Sequence, residues 1–113
     1  MDKFKSITKY VRISPRKARL AADLIRGLNV QQARLQLMHS SLRAGRLIKK
    51  TLDTAVADAM SLSAAQLNDL FVDEVRVDAG PTLKRAKSKN KGGRVPVMKR
   101  TSHFTVIVAK KVV

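Results

Sequence analysis

Apolar residues recur along this chain with two periods, and each period marks a kind of element. From Lys3 to Ile13 they alternate. Ile7, Val11 and Ile13 share one face, with Lys5 and Lys9 among them, the pattern of a partly exposed edge strand. Ser14 followed by Pro15 predicts a helix start: a side-chain cap, then a proline whose missing N–H costs nothing at the first helical position. That helix is expected to reach Arg26, to bury Leu20, Ala21, Leu24 and Ile25, and to stop at Gly27. Asn29 with Gln32 resembles a capping box for a short second helix that buries Val30, Ala33 and Leu37.

A third, longer helix is predicted from Ser40 or Ser41 to about Leu62. At about 100° per residue, Ala44, Leu47, Ile48, Leu52, Ala55, Val56, Ala59 and Leu62 fall on one arc. Arg43, Arg46, Lys49, Lys50 and Asp53 fall on the other. After a polar connector, Ser63 to Asp69, the period returns to two. Val75 and Val77 alternate with Glu74, Arg76 and Asp78 in a half-buried strand, Phe71–Asp78, which Gly80-Pro81 punctuates. Phe104–Val108 is apolar on both faces, as a central strand would be. The reading is an α+β fold: three helices packed on a three-stranded antiparallel sheet.

Between the last two strands lies Lys84–Arg100, which holds eight cations in seventeen residues and no acid. A run this basic is commonly disordered. Here Leu83, Ala86, Val95, Val97 and Met98 are interleaved with the charges, and strands flank both ends. Gly92 and Gly93 allow positive φ at a tip, Asn90 helps, and Pro96 suits an edge. The run therefore reads as a long, protruding basic β-hairpin. From Val75 to a turn near Asn90–Gly93 is about 15 residues, roughly 50 Å of strand, against a body roughly 30 Å across. The whole chain, 1–113, then forms one domain, with its globular body at 1–79 and 101–113 and an extended hairpin at 80–100.

Charge gives this architecture a partner. The formal balance is +16. Residues 1–78 hold 14 cations and eight acids, whereas residues 79–113 hold ten cations and no acid. Such a field attracts polyanions, nucleic acid first and an anionic membrane surface second. There is no cysteine, hence no disulfide and no cysteine-based zinc site. No segment approaches the roughly 20 apolar residues that span a bilayer, and Met1–Tyr10 has no signal-like apolar core. Phe4, Tyr10, Phe71 and Phe104 are the only aromatics, which favours phosphate contact and shape over base stacking.

Candidate phosphate contacts follow from these patterns. Ser14, Arg16, Lys17 and Arg19 sit where the first helix begins, so backbone N–H groups and cations converge, and Lys9 and Arg12 extend the patch. Arg43, Arg46, Lys49 and Lys50 form the polar face of the third helix, with solvated charge the simpler explanation. Lys84, Arg85, Lys87, Lys89, Lys91, Arg94, Lys99 and Arg100 are the hairpin's contribution. Catalysis finds little support. His39 and His103 are the only histidines. No nucleophile elbow, phosphate loop or metal-spaced cluster occurs, and no cofactor is expected. Asp73 and Glu74 are adjacent on a strand and should face opposite ways. A basic arm on a helical body also fits an architectural DNA-bending protein, which would require a dimer and an apolar wedge at the arm tip.

Ser14-Pro15-Arg16-Lys17-Ala18-Arg19-Leu20 leading to Ala22-Asp23-Leu24-Ile25-Arg26-Gly27 resembles the opening of the large-subunit ribosomal protein L-twenty-two family. So do Val72–Gly80-Pro81-Thr82-Leu83-Lys84-Arg85 and the closing Lys99-Arg100-Thr101-Ser102-His103. The resemblance covers nearly the whole chain in order. It implies a structural, non-enzymatic constituent of the large ribosomal subunit that binds large-subunit rRNA early in assembly. It places the body on the subunit surface and the hairpin, about Leu83 to Met98, along the peptide exit tunnel. It adds Thr101, Ser102 and His103 to the rRNA-binding set. It also implies neighbouring ribosomal proteins as partners, and the nascent peptide at a tip made by Ser88, Lys89, Asn90, Lys91, Gly92, Gly93 and Arg94. A cytoplasmic ribosome is the implied location, an organellar one being open; no membrane and no homo-oligomer are expected. The chain departs from the bacterial pattern at the tip. Ser88-Lys89-Asn90 replaces a common Pro-Arg-Ala step, and Gly93 stands where arginine is common.

Overall fold

In the computed structural model, which describes residues 3–63, 66–88 and 94–110, both periods become the expected elements. Strand β1 (Lys3–Val11) leads to helices α1 (Pro15–Asp23), α2 (Val30–His39) and α3 (Arg43–Ser63). A 3-10 turn, Leu67–Asp69, precedes β2 (Leu70–Ala79); β3 (Leu83–Ser88), β4 (Arg94–Lys99) and β5 (Ser102–Lys110) follow. The body sheet is antiparallel in the order β1-β5-β2, so the last strand is the central one. Strands β3 and β4 form a separate two-stranded antiparallel ribbon.

The core lies between one face of the sheet and the helices. Phe104, Val106 and Val108 from β5 and Leu70, Val72, Val75 and Val77 from β2 bury against Ile25, Val30, Leu37, Ile48, Leu52 and Val56. Asn29 caps α2 through Oδ1, which accepts from Gln31 N–H at 2.9 Å; this bond, rather than a reciprocal box with Gln32, holds the cap. At Ser14 the backbone is extended as a cap requires, but the hydroxyl makes no capping bond, so Pro15 alone sets the start.

Several faces differ from the periodic expectation. Helix α1 buries Pro15, Ala18, Ala21 and Ala22, and Ile25 is buried just beyond its end, whereas Leu20 and Leu24 are exposed. A stripe of alanines lets the helix approach the sheet closely, and the bulky leucines are left at its margin. The regular helix ends at Asp23, not Arg26. The chain then tightens through Leu24 N–H to Ala21 O and Ile25 N–H to Ala22 O before Gly27 turns it at φ +76°. Leu62, expected on the buried arc of α3, is 77% exposed.

Strand β1 carries the largest correction. Its register against β5 slips between Thr8 and Val11, where three steps oppose two, and Tyr10 takes φ +59°. This is a β-bulge, and it reverses which residues face the core. Before it Ser6 is buried and Ile7 is 45% exposed; after it Val11 and Ile13 turn inward. A left-handed conformation at a side-chain-bearing residue costs roughly 1–2 kcal/mol. A second slip, between Val72 and Glu74, leaves Asp73 as the extra residue of β2. Asp73 and Glu74 therefore do not simply alternate, and each carboxylate is tied up: Asp73 with Lys3 at 3.0 Å, Glu74 with Arg76 at 3.0 Å.

The molecule measures 67 × 24 × 17 Å, and its 17.1 Å radius of gyration exceeds the roughly 13 Å of a compact chain this long. The ribbon accounts for the excess, because β3 and β4 pack chiefly on each other.

Candidate nucleic-acid interface

Three short sequence pieces meet where the ribbon leaves the body. Gly80 N–H donates to Thr101 O at 2.9 Å, and Thr101 Oγ1 donates to Pro81 O at 2.6 Å. Ser102 Oγ donates to Ile13 O at 2.7 Å, tying the start of β5 to the segment entering α1. His103 Nδ1 accepts the Tyr10 N–H at 3.1 Å. A Cβ on Gly80 would stand 2.5 Å from Thr101 Oγ1 and 3.1 Å from the His103 ring, so only glycine fits this crossing.

These contacts correct part of the expected RNA-binding set. Thr101 and Ser102 are buried, and their hydroxyls donate to backbone carbonyls, so they shape the ribbon's root. His103 is half-buried and faces Tyr10 edge-to-face at 5.0 Å. The Thr-Ser-His motif is a joint. Its spacing gave no hint of that, because its partners at Ile13 and Tyr10 lie about ninety residues upstream.

Beside the joint lies an open groove of ≈ 540 Å³, lined by Ser14, Pro15, Arg16, Lys17, Arg19, Ala79 and Arg100. It unites the N-terminus of α1 with the last cation of the basic run. No acid occupies the first turn of α1, so its partial positive charge adds to Arg16, Lys17 and Arg100. Arg19 is partly diverted: its Nε donates to Val77 O at 3.2 Å and fastens α1 to β2. Lys9 and Arg12 are exposed just upstream.

A smaller hollow, ≈ 320 Å³, is lined by Arg43, Arg46, Leu47 and Lys50 in the first two turns of α3. The fourth expected cation of this face is not free. Lys49 Nζ lies 3.2 Å from Asp53 Oδ2, and Arg34 Nε lies 2.9 Å from Asp53 Oδ1. Among the described residues, Arg16, Lys17, Arg43, Arg46, Lys50, Lys84, Arg85, Lys99 and Arg100 make no ion pair with a carboxylate.

In the ribbon the register separates like charges. Lys84 pairs with Met98, Arg85 with Val97, Lys87 with Val95, Lys99 with Leu83 and Arg94 with Ser88. Among the described residues no cation stands directly opposite another, which removes the closest repulsions of an isolated basic ladder there. Lys84 lies on one face and Arg85 with Lys99 on the other, all exposed. The tip residues Lys89, Asn90, Lys91, Gly92 and Gly93 lie outside the described residues.

Nothing in this geometry resembles a reaction centre. No group of three metal-ligating side chains occurs among the described residues, and no helix there is long and apolar enough to cross a membrane. The arrangement can neutralise phosphates at two helix N-termini and along both faces of a ribbon.

Comparison with known proteins adds to this geometry. The family described as Ribosomal protein L22p/L17e matches residues 6–109. A protein named large ribosomal subunit protein uL22 from Protochlamydia amoebophila is 67% identical over 109 residues, covering 96% of this chain and 98% of its own length. Proteins of the same name from Chlamydia caviae and Chlamydia pneumoniae are 57% and 56% identical, each covering 96% of this chain and 97% of their own.

Proposed function

The chain belongs to the ribosomal protein L22p/L17e family, a structural and non-enzymatic component of the large ribosomal subunit, and from that membership we propose that it binds large-subunit rRNA through the α1 groove, the α3 hollow and the ribbon. The body acts as an anchor on the RNA. The ribbon is an arm that RNA surrounds, and it helps to organise the RNA during early assembly. Its end, residues 88–94, lines the peptide exit tunnel and meets nascent chains. The body alone, without residues 80–100, is a folding unit.

One observation supports this reading above the others: cations without a carboxylate partner line one groove at the α1 N-terminus with Arg100 and recur on both faces of the adjoining ribbon. A protein that merely rested on RNA would need cations on one side. An arm charged on both faces suits insertion between RNA segments, where each face meets phosphate. Family membership favours rRNA over duplex DNA as that polyanion.

Affinity for a large-subunit rRNA transcript, measured across salt, tests the proposal. If about six cations meet phosphates, log affinity should fall against log salt with a slope of about −4 to −5. Replacing Leu83–Lys99 with a short glycine-serine turn, while keeping Arg100–His103, should make that slope shallower and leave the body's melting midpoint in place. An unaltered slope and affinity in that variant would refute the role given to the ribbon. Crosslinks from the 89–94 segment to tunnel rRNA in purified subunits test the tunnel placement.

A further inference from the structure

We infer that Tyr10 is a nucleobase-stacking residue that receives one unpaired base of the bound RNA, an assignment that rests on the rRNA-binding reading above. The ring is 64% exposed. Of the other aromatics Phe104 is buried, and Phe4 and Phe71 are half-buried, so Tyr10 alone presents most of its ring to solvent. It therefore contributes little to the core.

Its backbone makes the exposure harder to dismiss. Tyr10 occupies the left-handed position of the β1 bulge at φ +59°, a place that glycine fills without strain. The bulge re-aims the side chain away from the alternating pattern of the strand. The ring is also held. The Tyr10 backbone N–H donates to His103 Nδ1 at 3.1 Å, and the imidazole stands perpendicular to the phenol ring with centroids 5.0 Å apart. In a perpendicular pair the imidazole covers at most one face of the phenol ring. A flat, oriented, open π-face is what a stacked base requires.

The neighbours select the ligand. Lys9 and Arg12 lie one residue before and two residues after Tyr10, both exposed and neither paired with a carboxylate among the described residues. Exposed cations on either side of an exposed aromatic residue in the chain suit a nucleotide, whose base is bracketed by phosphates. They would repel a basic protein segment, and a wholly apolar one would leave them unsatisfied. Tyr10 also reaches His103 at the ribbon's root, so a base held here would anchor RNA where the arm enters it.

The full-length protein provides its own probe. It has one tyrosine and no tryptophan, so tyrosine emission reports this ring alone. A saturating large-subunit rRNA transcript should quench that emission, whereas heparin, a polyanion without bases, should bind and leave it largely unchanged. Tyr10→Gly should weaken transcript binding about tenfold at an unchanged salt slope, since stacking releases no counterions. Its melting midpoint should stay level or rise, because glycine relieves the backbone. Tyr10→Phe should bind like the parent, whereas Lys9→Gln and Arg12→Gln should each make the slope shallower by about one. Equal quenching by heparin, or parental affinity in Tyr10→Gly, overturns the assignment. If the parent protein itself shows no salt-dependent transcript binding, the rRNA reading falls as well, so the two failures are distinguishable.

Discussion

The body and the ribbon are built from the same kind of β-strand, yet they are ordered by different means. In the body, β5 lies between two strands, and Phe104, Val106 and Val108 are fully buried beneath helices. In the ribbon each strand has one neighbour, and Lys84, Arg85, Ala86, Met98 and Lys99 are all exposed. A lone two-stranded ladder is marginal in water. Its apolar residues serve here as spacers opposite cations, as Met98 does for Lys84. Burial thus gives the body its stability, while the ribbon's residues are committed to register, reach and charge. The joint of Gly80, Thr101, Ser102 and His103 separates the two regimes.

Changes at four places test that division. Phe104→Ala should cost the body about 3–5 kcal/mol, because a large side chain leaves a fully enclosed site, and thermal or urea unfolding would show it. A loss below about 1 kcal/mol would mean that the core is not centred on β5. Ser102→Ala should cost about 1–3 kcal/mol by removing the donor to the Ile13 carbonyl. Ser102→Thr offers a hydroxyl control by the same measurement. The double change Lys84→Gln with Arg85→Gln should leave unfolding untouched and reduce rRNA affinity about tenfold, ~1.4 kcal/mol, with a salt slope shallower by about two. A melting shift in that variant would show that the ribbon supports the body after all. Arg16→Glu should stabilise the free protein by about 0.3–1 kcal/mol, since an acid then meets the α1 N-terminus, while weakening rRNA binding. Opposite signs in the two assays would mark Arg16 as a residue kept for its partner rather than for the fold.

Much of this was legible in residues alone. The long helix with Ile48, Leu52, Ala55 and Val56 inward, the Asn29 cap, the central position of β5 and the basic ribbon all follow from local rules. The misreadings share a cause. Leu20 and Leu24 fall on the stripe that helical period draws with Ala21 and Ile25, but the structure buries Ala18, Ala21 and Ala22 and leaves both leucines exposed. Ile7 was placed inward because alternation was extended through a bulge that one extra residue creates. Thr101 and Ser102 joined the RNA-binding set through the family resemblance, whereas the partners of their hydroxyls are backbone carbonyls distant along the chain.

The sequence by itself determined the type and order of the elements and the gathering of eight cations, with no acid, in the seventeen residues of Lys84–Arg100. Those properties depend on hydrophobic period and net charge, which are sums over neighbouring residues. Only the tertiary structure decided which cations remain unpaired, where the bulges reverse a strand's faces, and that α1's N-terminus meets Arg100 in one groove. Each of these depends on contacts between segments distant along the chain, so no local pattern could carry it.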